Sequence, residues 1–117
     1  MDLRSLVQAL IDGDALRARQ LTADAMRNAT SWAEVPRPIG CGPVELAVSA
    51  GIVELLASRA NQSPPSWTEA VGHSPTPIYL TRAALTMPRL RRACEAEGPE
   101  PLRRRRIFAP PEFLTMA

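Results

Sequence analysis

Apolar residues recur three and four apart along this chain, but only in short blocks that glycine or proline closes within a few turns. Leu3, Leu6, Val7, Leu10 and Ile11 fall on one face of a helix of 3.6 residues per turn. Asp2 is placed to cap that helix. Gly13 is placed to end it, since glycine accepts left-handed backbone at a helix C-terminus. From Asp14 a second helix is predicted to about Ala29, with Leu16, Leu21, Ala25 and Met26 among its apolar positions. Two helices with so short a break between them make a helical hairpin. Pro43 suits the first position of a third helix, predicted to reach about Arg59, with Val44, Val48, Ile52, Leu55 and Leu56 as its stripe. This is the most apolar block, so the centre of the core is expected there. Gly51 in its middle costs about 1 kcal/mol against alanine, often the mark of a close helix crossing.

The remaining punctuation shortens everything else. Ser31-Trp32-Ala33-Glu34 and Ser66-Trp67-Thr68-Glu69 both read as capping boxes, in which serine hydroxyl and glutamate carboxylate satisfy orphan amides of a first turn. Their spacing is also what a two-helix repeat would give, but two imperfect copies are weak evidence for one, and two independent boxes are the preferred reading. Trp32 and Trp67 are expected to plug the ends of helix pairs. Beyond the prolines at His73–Pro77, a fourth helix is expected near Ile78, carrying Tyr79, Leu80, Ala83, Ala84 and Leu85. Pro88 starts or kinks the next, with Leu90, Ala93 and Cys94 inward and Arg89, Arg91 and Arg92 outward. The fold class expected is all-α: a compact bundle of about five to six short helices arranged as hairpins, followed by an extended C-terminal tail. Residues 1–98 form the helical domain. Residues 99–117 form an Arg-rich, Pro- and Phe-containing segment packed on that domain or on a partner.

Composition agrees with helices. The chain has 117 residues, 45% apolar, 22% charged and only 4% aromatic, so its core must be built from Leu, Ala, Val and Ile. One domain of this size can bury a core without disulfides or metals. No apolar run approaches the roughly 18 residues a membrane helix needs, and Asp2, Arg4 and Gln8 interrupt the start where a secretory segment would lie. A cytoplasmic protein with Cys41 and Cys94 reduced is the expectation.

The chemistry that the chain lacks is as informative. His73, Cys41 and Cys94 share no ligand spacing, so neither a metal nor any other cofactor is expected. Cys41 in Gly40-Cys41-Gly42 could meet His73 in space, but no third group is placed to orient the pair. Phosphate-binding glycine loops are absent. The expectation is a protein that is not an enzyme.

What stands out is the arginine. All 14 basic residues are arginine, and their distribution is uneven. Residues 1–80 hold six arginines against eight acids, and residues 81–117 hold eight against four. Such asymmetry suits an acidic or nucleic-acid partner. Four arginines, Arg103, Arg104, Arg105 and Arg106, are followed by both phenylalanines of the chain, Phe108 and Phe113, on a stretch stiffened by Pro110 and Pro111. Guanidinium forks and aromatic anchors are the groups that dominate protein interfaces. The same residues could instead complete the domain's own core. Phosphate contacts by the basic third make a nucleic-acid-binding regulator the alternative function.

The segments Trp32-Ala33-Glu34-Val35-Pro36-Arg37-Pro38 and, over about twenty C-terminal residues, Gly98-Pro99-Glu100-Pro101-Leu102-Arg103-Arg104-Arg105-Arg106-Ile107-Phe108-Ala109-Pro110-Pro111-Glu112-Phe113-Leu114 resemble small helical bacterial proteins. These close with a proline, an Arg-rich stretch, an Ile/Val-Phe pair and a final Phe-Leu. They are often encoded beside a nucleotidyltransferase-fold protein, in an arrangement similar to a toxin–antitoxin pair. The resemblance implies an antitoxin-like role: a module that binds and neutralises a nucleotidyltransferase-type toxin. It implies that Arg103 to Arg106, Phe108 and Phe113 make the contact. It leaves the oligomeric state open.

Overall fold

The computed structural model describes residues 3–28 and 31–114. The expected cap at Asp2 and the end of the second helix at Ala29 lie outside them. Helix α1 (Leu3–Asp12) turns at Gly13 into α2 (Ala15–Arg27). Gly13 has φ +76°, and the Asp14 carboxylate accepts from the Arg17 amide at 3.1 Å, capping α2. The hairpin therefore forms where the sequence puts it. Leu6, Val7 and Leu10 are buried, but Leu16 is 69% exposed, so α2 contributes Ala18, Thr22 and Ala25 to the core instead. Small residues there let the two helices approach.

Helix α3 (Pro43–Arg59) is the axis of the molecule. All of its residues from Ala47 to Ala57 are buried, so it is covered on every side rather than along one stripe. Its cover includes α1, a single 3-10 turn at Trp32–Glu34, another at Ser66–Ala70, and the C-terminal segment. Trp32 is 1% exposed, whereas Trp67 is half-buried and donates its indole N–H to the Val35 carbonyl at 2.8 Å. Ser31 caps the first turn without the side-chain hydrogen bond expected of it, and at the second turn the N-cap is Pro65, with Ser66 already inside. The reason is length: each turn closes after three to five residues. The row of orphan amides that a capping box serves never forms.

The second half departs furthest from expectation. No helix starts at Ile78. Ile78–Tyr79 is instead strand β1, paired in parallel with β2 (Ile107–Phe108), in register Ile78 to Ile107 and Tyr79 to Phe108. Pro75 and Pro77 disfavour helix in the residues just before them, and the chain bends at Pro75–Thr76. The returning tail then supplies partners: the amides of Ser74, Ile78 and Leu80 donate to the carbonyls of Arg105, Arg106 and Phe108 at 2.8–3.0 Å. Residues Ala83, Ala84 and Leu85 lie in a 3-10 turn (Arg82–Leu85) rather than an α-helix. Helix α4 (Pro88–Glu97) follows, with Cys94 buried and Arg89, Arg91 and Arg92 exposed. One turn, α5 (Glu100–Arg103), crosses α3. A Cβ on Gly51 would stand 2.7 Å from Leu102 Cδ2 and 3.2 Å from the Pro101 carbonyl oxygen, so Gly51 does permit a close crossing. Pro110 to Leu114 curls into a turn, with the Phe113 amide on the Pro110 carbonyl at 3.0 Å, rather than staying extended. The architecture is a mostly α bundle stitched by one two-residue parallel ladder.

Candidate functional site

The arginine run begins where α5 ends. Leu102 is fully buried beneath Gly51, which fixes the backbone that the next four residues leave from. Arg103 donates to the Ala96 carbonyl, one of the orphan carbonyls at the end of α4. Arg104 Nη2 donates to both carboxylate oxygens of Glu54, at 2.7 Å each. Arg105 is 3% exposed and donates to Glu54, to the Pro101 carbonyl at 3.0 Å and to the Thr68 carbonyl at 2.9 Å. The Thr68 hydroxyl lies 2.9 Å from the Pro65 carbonyl and 3.3 Å from Glu54 Oε2. Glu54 belongs to α3, fifty residues before its partners. One carboxylate in the centre of the bundle thus latches two neighbouring guanidinium groups.

The electrostatics follow from that geometry. Burial pushes the Glu54 carboxyl up, but hydrogen bonds and positive charge from Arg105 and Arg104 outweigh it, and the group titrates below the usual carboxylate range. A second arginine leaves the cluster with excess positive charge, and Arg104 carries it to the surface, half-exposed. Among the described residues the buried Arg105 Nε has no hydrogen-bond partner, which adds a desolvation cost to the arrangement.

Arg106 is treated differently. Its backbone is left-handed at φ 64° and its side chain is exposed. Among the described residues that side chain has no hydrogen bond or ion pair. Three of the four arginines are therefore committed to the chain's own carbonyls and carboxylate, and one is presented outward.

Phe108 and Phe113 are both half-buried. Phe108 lies against Tyr79, ring centroids 5.2 Å apart. Phe113 packs on the core, and its carbonyl accepts from Arg59, whose own pKa is lowered by burial. Phe113 also borders an open groove of about 350 Å³ between the Gly13 turn, Leu80–Arg82 and Pro110–Leu114. The six residues singled out from the sequence thus do not form one exposed patch. They divide into a buried latch and a rim.

Cys41 and His73 line separate clefts. Cys41 shares one with Arg4, Gln8 and Glu45, and His73 shares another with Glu69, Arg104 and Arg105. The His73 Nδ1 is held 2.9 Å from the Ser74 carbonyl. Cys94 is buried, and burial, then Glu112 and Glu95, push its thiol up. Among the described residues no group of three His, Cys, Asp or Glu is placed to hold a metal ion. No helix among them is long and apolar enough to cross a membrane.

Glu54 and Tyr79 escaped the reading of the sequence. Glu54 left a signal: beyond the first turn, which holds Glu45, it is the single acid of the most apolar helical block, and a charge at such a position demands a partner. Tyr79 left none, because its neighbour Phe108 lies 29 residues further on. No protein-family model, curated protein or solved structure matches the chain.

Proposed function

We propose that this chain is a non-catalytic binding module, an antitoxin-like partner that docks on a nucleotidyltransferase-type protein through the rim of its C-terminal segment. The observation that carries the reading is the division of the arginine run. The latch on Glu54 holds residues 100–114 in one arrangement, so Arg106, the outer half of Arg104 and the exposed edges of Phe108 and Phe113 are presented already ordered. A partner that meets a pre-ordered surface loses less entropy on docking. Guanidinium heads at that rim suit a carboxylate cluster or a phosphate site on the partner, and the groove beside Phe113 offers room for an apolar side chain.

Co-expression with the product of a neighbouring nucleotidyltransferase-fold gene tests this. The expected result is co-purification of the two chains and relief of any growth arrest the partner causes. Arg106→Glu combined with Phe113→Ala should abolish both while leaving the helical signal intact. A complex that survives that double substitution would place the contact elsewhere, and no complex at all would end the reading.

A further inference from the structure

The protein-binding reading uses Phe108 and Arg106 but leaves Tyr79 and Arg91, which stand beside them, without a role. Of five aromatic residues in the chain, two are brought side by side by the parallel ladder. Tyr79 and Phe108 meet with centroids 5.2 Å apart and planes tilted by 35°, each residue half-buried. Arg91, its side chain 51% exposed, stands over the Tyr79 ring with Cζ 5.1 Å from the centroid. The Tyr79 hydroxyl donates to Glu95 Oε2 at 2.6 Å, which fixes the ring, and Arg91 Nε is 3.8 Å from the same oxygen. Arg92, the next residue of the same helix, is exposed. Arg106 adjoins the ladder directly, its carbonyl accepting from the Ile78 amide at 3.0 Å.

Aromatic rings and planar guanidinium groups offer π faces on which any nucleobase stacks, and surrounding arginines take the phosphates. A duplex cannot use such a platform, since its bases are already stacked on one another. An acidic peptide would satisfy the arginines and leave the paired rings without a role. Left-handed backbone at a non-glycine residue is a cost that functional sites retain, and Arg106 bears it while its side chain faces outward.

We propose that the surface of Tyr79, Phe108 and Arg91, flanked by Arg92 and Arg106, binds single-stranded nucleic acid. Bases stack on the rings and on the Arg91 guanidinium, and the flanking arginines hold the backbone. The site goes beyond the antitoxin-like reading and does not rest on it.

Fluorescence anisotropy on the full chain tests the site. The probes are labelled oligo(U) RNA and oligo(dT) DNA of about 20 nucleotides, a duplex of the same length and a decaglutamate peptide. Both single strands should bind at least about tenfold more tightly than the duplex, and affinity should fall as salt rises from about 50 to 200 mM. Preference for RNA would assign a contact to the 2′-hydroxyl, and equal affinity would assign the site to features shared by both strands. Tyr79→Leu should weaken binding about tenfold and Arg91→Gln about threefold, with circular dichroism unchanged. Absence of single-strand binding at low salt overturns the proposal. So does a duplex or a peptide bound as tightly, or a folded Tyr79→Leu protein with full affinity. Should Tyr79→Leu fail to fold, undiminished binding by Arg91→Gln has the same force.

Discussion

The α1–α2 hairpin and the C-terminal segment lie on the same central helix, yet they are held by opposite means. The hairpin is held by apolar burial: Leu6 is fully buried, Val7 and Leu10 nearly so, with Ala18 and Ala25 filling the space between. The C-terminal segment buries Leu102, Ile107 and Ala109 as well, but its register is set by Arg104 and Arg105 on Glu54. Apolar contact is tolerant, since many arrangements bury the same area. A buried carboxylate with two guanidinium partners is not, because any slip leaves a charge without its counterpart. One region is bound strongly and the other is positioned. A surface that must present Arg106 at a fixed place needs the second kind.

That contrast can be broken most forcefully at Glu54. Glu54→Ala strands the buried Arg105 and is expected to cost about 3–5 kcal/mol in urea unfolding. Glu54→Leu with Arg105→Met removes both charges, and most of that loss should return while the C-terminal segment loses its fixed register, visible as faster amide exchange over residues 100–114. A double variant as destabilised as the single one would refute the positioning role. On the hairpin side, Leu6→Ala should cost about 2–5 kcal/mol through the cavity it leaves. That cost should not change between neutral pH and pH 4.

A smaller effect tests the crossing. Gly51→Ala forces a methyl against Leu102 and Pro101, and a loss of about 1–3 kcal/mol is expected, though alanine is the better helix former. An unchanged midpoint would mean that α5 yields, so the segment is less fixed than its hydrogen bonds imply.

Acid should then separate the two regions. The Glu54 carboxyl titrates lower in the folded chain than in the unfolded one. Its contribution is therefore complete at neutral pH, and falls away as pH drops below about 4.3, the unfolded value, through the folded one. Amide exchange followed from pH 6 to pH 3 should show the C-terminal segment opening before α1 and α2. Simultaneous opening would contradict the division. The smallest expected change is at Arg106. Arg106→Gly relieves a left-handed residue, and a gain of at most about 1 kcal/mol is expected, set against weaker binding by whatever the arginine grips. Greater stability with undiminished binding would remove Arg106 from both proposed contacts.

Much of the first half was legible because its signals are local. Gly13 with Asp14, the i, i+3, i+4 stripe of α1, and Pro43 at the head of α3 each act within a turn or two of chain, where propensity and capping decide the outcome. The two Ser-Trp-x-Glu segments failed as capping boxes because the pattern does not say how long a helix will follow. Ile78–Tyr79 failed more instructively. Its residues suit a helix or a strand, and the choice fell to a tail that arrives 29 residues later with free carbonyls. The candidate site was half legible. Its arginines and phenylalanines stood out by clustering, but which of them would be spent inside the molecule could not be counted from spacing.

By itself, the order of residues determined that the chain would be helical, where most of its helices begin, and that its basic and aromatic groups would gather at one end. These depend on interactions among near neighbours, which survive any arrangement of the whole. Only the tertiary structure decided that Glu54 would claim Arg104 and Arg105, that Tyr79 would meet Phe108, and that Arg106 would be left facing water. Burial and charge pairing act between segments fifty residues apart, and they assign each side chain a role only once the chain has closed on itself.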